Sequence, residues 1–164
     1  MPSVPAAQKI SRADVAAILV RLILGAVFLY MGIQKALMPV EFLKLVKEYE
    51  LVMRPPWLNI IAATLPWFEI FCGLLLVAGV AVRAVALNLI VMLIPFSIII
   101  LRRGLEIYHT KGLAFCAIKF DCGCGAGEVV ICHKLIENAA LILLAGWLLF
   151  RKRNRFCARS SLFP

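Results

Sequence analysis

Four apolar stretches, residues 15–37, 57–80, 83–101 and 130–150, dominate this chain and leave it little choice of fold. A bilayer core about 30 Å thick is crossed by about 20 mostly apolar residues in helical form. Inside that core every backbone polar group must find a partner within the protein, which a helix provides by itself. Over the whole chain 63% of residues are apolar and the mean hydropathy is +0.97, too hydrophobic for an ordinary water-soluble domain. The sequence therefore predicts an all-α membrane protein, a four-transmembrane-helix bundle. Lys9 and Arg12 ahead of the first stretch imitate the basic region of a secretory signal. That stretch is too long for one and lacks a small-residue cleavage site, so it reads as a retained helix.

The net charge of +9 does not point to nucleic acid, because the densest basic run, Arg151-Lys152-Arg153-Asn154-Arg155, directly follows the last apolar stretch. Such a run anchors a helix end on the cytoplasmic side. With four spans, both termini are then cytoplasmic and the link between the third and fourth spans is periplasmic, in a bacterial inner membrane. Residues 1–14 read as a cytoplasmic tail, 15–150 as the membrane domain, and 151–164 as a basic cytoplasmic tail. Between the first two spans, residues 40–51 place Phe42, Leu45, Val46 and Tyr49 on one side and Glu41, Lys44, Lys47 and Glu48 on the other. That pattern predicts a short amphipathic helix lying on the bilayer. Pro55 and Pro56 are expected to end it, with Trp57 at the interface. Only a few residues around 81–83 join the second and third spans, so these form an antiparallel hairpin. Pro66 and Pro95 fall inside spans, where neighbours must satisfy the carbonyls they free.

The connector over residues 102–129 is long for a link within a compact bundle, and lengths of that order are usually functional. Its apolar residues at 113–115 and 117–118, with the turn-forming Gly123, Gly125 and Gly127, predict an ordered cap over the helix ends. Four of the six cysteines belong to this region: Cys116, Cys122, Cys124 and Cys132. The clustering suits an oxidising compartment. Cys122 and Cys124 flank a single glycine, so a bond between them closes a small ring with forced torsions. A disulfide of that kind is labile and exchanges readily. Lys119 favours the thiolate and Asp121 opposes it. Cys116 and Cys132 can form a second redox pair or a clip, and four cysteines allow three pairings among which spacing does not choose. One competing reading makes all four static bridges. Another makes Cys122, Cys124, Cys132, His133 and His109 soft metal ligands, against which stands the absence of the paired Cys-x-x-Cys spacing of structural zinc.

Polar residues within the spans form a second group. Glu69 lies 12 positions after Trp57, about 18 Å along a helix and close to mid-membrane. A carboxyl at that depth is expensive and marks a candidate site. Cys72 follows at i+3 on the same face and is expected to be a packing residue. Lys35 in the first span and Glu137-Asn138 in the fourth can complete an inward-facing polar pocket with Glu69. The competing reading is an ion pair that only locks the bundle. No span carries the paired histidines of a bis-histidine haem site.

These residues together resemble a known family. Arg21-Leu22, Gly25, Phe28, Gly32 and Lys35, then Leu65-Pro66, Glu69 and Gly73, then Asp121-Cys122-Gly123-Cys124-Gly125 ahead of the last span are similar to the MauE/DoxX redox-associated membrane proteins. The likeness covers residues 15–150. Members often have Phe-Gly after the second cysteine, where this chain has Gly125-Ala126-Gly127. The resemblance implies a four-helix bundle that helps disulfide-bonded periplasmic proteins to mature, as in methylamine dehydrogenase maturation, or, for DoxX relatives, thiosulfate:quinone oxidoreduction. The expected function is an inner-membrane thiol–disulfide redox protein, a thiol-disulfide oxidoreductase if it is an enzyme. Its catalytic candidates are Cys122, Cys124, Cys116 and Cys132. Glu69, Lys35 and Glu137 are the candidates for a pocket holding quinone, the one cofactor class this reading admits. Expected partners are the lipid bilayer, a periplasmic thiol protein or redox carrier, and subunits of a membrane redox complex. The alternatives are a non-catalytic subunit of such a complex with structural disulfides, and a metal-binding membrane protein.

Overall fold

The structure, a computed structural model, describes residues 11–48, 55–112, 114–121 and 128–151. Among the described residues there are five α-helices: α1 Arg12–Leu37, α2 Pro39–Glu48, α3 Pro55–Ala78, α4 Val82–Lys111 and α5 Ile131–Phe150. Four segments of the described residues are long and apolar enough to cross a membrane, Arg12–Leu37, Asn59–Ala78, Val82–Thr110 and Ile131–Phe150. The chain is the all-α, four-span, multi-pass membrane protein that its hydropathy predicts.

Each boundary has a local cause. Ser11 caps α1 through a capping box with Asp14, whose Oδ2 accepts from the Ser11 N–H at 3.1 Å. Two N–H groups orphaned at the helix start are thereby satisfied. The same carboxylate reaches across to the end of α5, where Arg151 Nη2 lies 2.7 Å from Asp14 Oδ1. Arg151 also donates to the Ala13 carbonyl and stacks 5.3 Å from the Trp147 ring centroid. Pro55 and Pro56 begin α3 instead of merely ending the helix before it. Proline suits a first turn, where its missing N–H would have no intrahelical partner. The tight link after α3 is a Schellman turn: Gly79 at φ 75° with Val80 N–H to Leu75 O at 2.9 Å and Gly79 N–H to Leu76 O at 3.1 Å. That pattern satisfies the last carbonyls of the helix.

Packing is in two close helix pairs, α1 with α3 and α4 with α5. Glycines set the first approach: a Cβ on Gly32 would sit 2.8 Å from the Pro66 carbonyl oxygen, and one on Gly73 would sit 2.9 Å from that of Gly25. In lipid, where tails are as apolar as leucine, such close backbone contact is a main source of helix association. Leu24, Phe28, Leu76, Ala86, Leu89 and Ala145 fill the centre and are fully buried. Leu19, Ile23, Trp67, Phe71, Val91 and Leu143 point outward, where the bilayer covers them. The amphipathic helix expected over residues 40–51 is present as α2, with its last expected residues outside the described ones. Phe42 and Val46 bury against Ala62 of α3, so its apolar face packs on protein as well as on lipid.

The expected connector over residues 102–129 needs a correction. Its first ten residues continue α4 to Lys111, and the helix stops at Gly112, in the left-handed region at φ 62°. Arg102 and Arg103 therefore lie on a helix that runs on past them, with Arg103 paired to Glu106 at 3.0 Å one turn later. What remains of the connector is a 3-10 turn at Phe115–Ala117 and a two-stranded antiparallel hairpin, β1 Lys119–Asp121 and β2 Glu128–Val130.

Candidate functional site: a stapled cap above a buried ion pair

The hairpin register pairs Lys119 with Val130, Phe120 with Val129 and Asp121 with Glu128. The Asp121–Glu128 pair closes the described part of the hairpin, and residues 122–127, including Cys122 and Cys124, join these two positions. The Cys-Gly-Cys itself lies outside the described residues. The described part of the cap is anchored in three ways, by packing, by a hydrogen bond and by a covalent bond. Ile118 and Ile131 are buried, and Gly104 of α4 leaves room for Phe115 and Ile131, since a Cβ there would meet them at 2.9 and 2.8 Å. Val129 packs against Met31, one turn before Lys35 on α1. The Ile131 N–H donates to the Ile118 carbonyl at 3.2 Å, joining the start of α5 to the 3-10 turn.

The third anchor is covalent. Cys116 and Cys132 form a disulfide with Cα atoms 5.2 Å apart, closing a 16-residue separation that contains the whole hairpin. Of the three pairings open to the four clustered cysteines, this leaves Cys122 and Cys124 for each other or for an outside partner. Cys116 is exposed and Cys132 half-buried. Cys132 is no longer available as a metal thiolate, which removes one of the ligands of the metal reading. His133, beside it, is exposed.

Two residues below Cys132 on the same helix lies Lys134, only 2% exposed. It belongs to a polar cluster between the spans. Lys35 Nζ is 2.5 Å from Glu69 Oε1, with both side chains 4% exposed, and the Phe42 ring centroid lies 5.5 Å from the same ammonium. Cys72, one turn beyond Glu69, is 2% exposed and packs in the main core. Glu69 Oε2 and Asn138 Oδ1 are buried without a hydrogen-bond partner among the described residues. Asn138 donates to Ser97 Oγ at 3.2 Å, and Ser97 to the Leu93 carbonyl at 2.8 Å, linking α5 to α4.

Of the expected pocket residues, Lys35 and Glu69 are brought together directly. Glu137 is not part of that contact: it turns to Lys134 at 2.9 Å, with its side chain 42% exposed at the rim. Lys134 and Ser97 are the members that sequence reasoning did not single out. One signal was there to find, because Lys134 precedes Glu137 by three positions and Asn138 by four, and so shares their helix face.

No curated protein and no solved structure is detectably similar to this chain. The sequence model of one family, described as methylamine utilisation protein MauE, matches residues 13–151, from the first turn of α1 to the arginine that ends α5. That match spans all four membrane helices together with the stapled cap, and the chain belongs to the MauE family.

Proposed function

We propose that this protein is an inner-membrane thiol–disulfide redox protein whose Cys122–Cys124 pair oxidises the cysteines of periplasmic client proteins. The family description ties the chain to methylamine utilisation, and the proposed clients are disulfide-bearing proteins of such a system. The observation that supports the reading is the Cys116–Cys132 disulfide, with Cys116 exposed, which encloses the segment of chain that carries Cys-Gly-Cys. In the proposed step a client thiolate attacks the Cys122–Cys124 disulfide, forming a mixed disulfide and releasing one thiolate of the pair. The client's second thiol then displaces the remaining sulfur. The client loses two electrons and two protons, and the pair gains them as a dithiol. Cys116–Cys132 is the second pair, accessible for exchange through the exposed Cys116.

A lipid-soluble two-electron acceptor of the quinone class, when bound, would supply the oxidising equivalents. Of the residues present, Glu69 would face such a molecule: its Oε2 is buried without a partner among the described residues and is an acceptor for a quinol hydroxyl, while its Oε1 is held by Lys35. A second reading, a structural subunit of a membrane redox complex, is favoured by the same disulfide, because it clips the cap to α5.

Alkylation followed by mass spectrometry, with and without mild reductant, separates the two. Exchange requires Cys122 and Cys124 to be alkylated together after brief reduction. In cells, Cys122→Ser with Cys124→Ser should leave client cysteines reduced. Unchanged client disulfides in that variant would remove the oxidoreductase reading and leave the clip.

A further inference from the structure

At the opposite end of the bundle, where Asp14 meets Arg151, α4 and α5 border a groove of about 980 Å³ that the redox reading does not use. Its walls are apolar, with Leu87 and Ile90 on α4 and Ile142, Leu143, Trp147 and Phe150 on α5. Gly146 lies in its wall, and a Cβ there would meet nothing within 4 Å. The mouth is cationic. Arg151 lines it, held by Asp14 and the Trp147 ring. Arg83, exposed in the first turn of α4, is one turn before Leu87 and donates from Nε to the carbonyl of Leu149, another lining residue, at 3.1 Å. Two guanidinium groups therefore stand at the water-facing end of an apolar trough within a membrane-spanning segment. The shape is that of an amphiphile with an anionic head.

We infer that this groove binds one anionic phospholipid, with the phosphate against Arg83 and Arg151 and an acyl chain laid along Leu87, Ile90, Leu143 and Gly146. Charge complementarity selects this occupant. A purely apolar partner helix would bury the guanidinium of Arg83 without an anion, which lipid surroundings penalise heavily. Arginine, with its planar fork of donors, suits phosphate oxygens in pairs. The head contact belongs to Arg83 chiefly, because Arg151 already serves Asp14.

The test is native mass spectrometry of the full chain in detergent, titrated with phosphatidylglycerol or phosphatidylethanolamine. One phosphatidylglycerol should be retained in preference to phosphatidylethanolamine. Arg83→Gln should weaken that retention about fivefold, the worth of one cation at an anionic surface, and Arg83→Lys should restore part of it. Gly146→Leu fills the trough and should abolish retention, while Lys44→Gln on α2, at the other end of the bundle, should change nothing. Circular dichroism confirms that each variant remains helical. Should Gly146→Leu lose its helicity, Leu143→Trp obstructs the same trough from the neighbouring turn. Equal retention of the two lipids, indifference to both trough-filling variants, or a dimer that Gly146→Leu disrupts would each overturn the assignment. The last result would give the groove to a second copy of the chain.

Discussion

Lys35 Nζ lies 2.5 Å from Glu69 Oε1 inside the bundle, joining α1 to α3 where both side chains are 4% exposed. Removing one member leaves the other charged and buried, which costs about 3–5 kcal/mol. Glu69→Ala should therefore lower the unfolding temperature in detergent sharply. The double variant Lys35→Met with Glu69→Leu should recover much of the loss, since an apolar pair of similar volume avoids the desolvation cost altogether. If the double variant also loses client oxidation, the pair serves the chemistry as well as the packing.

The glycines of the bundle differ in what an added Cβ would meet: backbone atoms at Gly25, Gly32 and Gly73, side chains at Gly104, and nothing within 4 Å at Gly146. At Gly32 an added Cβ would lie 2.8 Å from the Pro66 carbonyl oxygen, an atom that cannot move without shifting α3. Gly32→Ala should destabilise by about 1–3 kcal/mol through overpacking. Gly146→Ala has open space around it and gains helix propensity of up to about 1 kcal/mol. Thermal unfolding of the two variants side by side should move in opposite directions.

Breaking the Cys116–Cys132 bond should loosen the cap and spare the helices below. A disulfide enclosing about 15 residues contributes about 3 kcal/mol, and the separation here is 16. Cys116→Ser with Cys132→Ser should speed amide hydrogen exchange in the hairpin and the first turn of α5. Protection near Leu24, Phe28 and Leu76 should stay as it was, and loss of protection throughout would show that the clip holds the whole bundle together.

Asp14 has two duties, closing the capping box of α1 and pairing with Arg151. Loss of a cap alone typically costs about 1 kcal/mol. Asp14→Ala should exceed that cost, because Arg151 loses its carboxylate as well. Arg151→Gln should cost less than Asp14→Ala, since the box survives. Equal losses in the two variants would mean that the capping box contributes nothing measurable.

Hydropathy made the four spans legible because the bilayer requires only length and apolarity, and neither depends on tertiary contacts. Arg102 and Arg103 concealed the true length of α4: charged residues mark where a helix leaves lipid and say nothing about where its hydrogen bonding stops. That stop is set by Gly112, whose left-handed backbone could have been suspected from its residue type. The Lys35–Glu69 contact was legible because each is costly alone in a membrane. Lys134 was less so, since its charge is met by a rim residue, Glu137, that had itself been assigned to the interior. The cysteine pairing required coordinates, because three connectivities fit the same spacing and only the folding of the hairpin sets Cys116 beside Cys132.

The handclasp between Asp14 and Arg151 brings the two ends of the described bundle to one place, so in connectivity the molecule is nearly a closed ring. Splicing 151 to 11 and cutting instead at the Gly79 turn would produce a chain that begins with α4 and ends with α3. Every helix would still enter the bilayer from its present side.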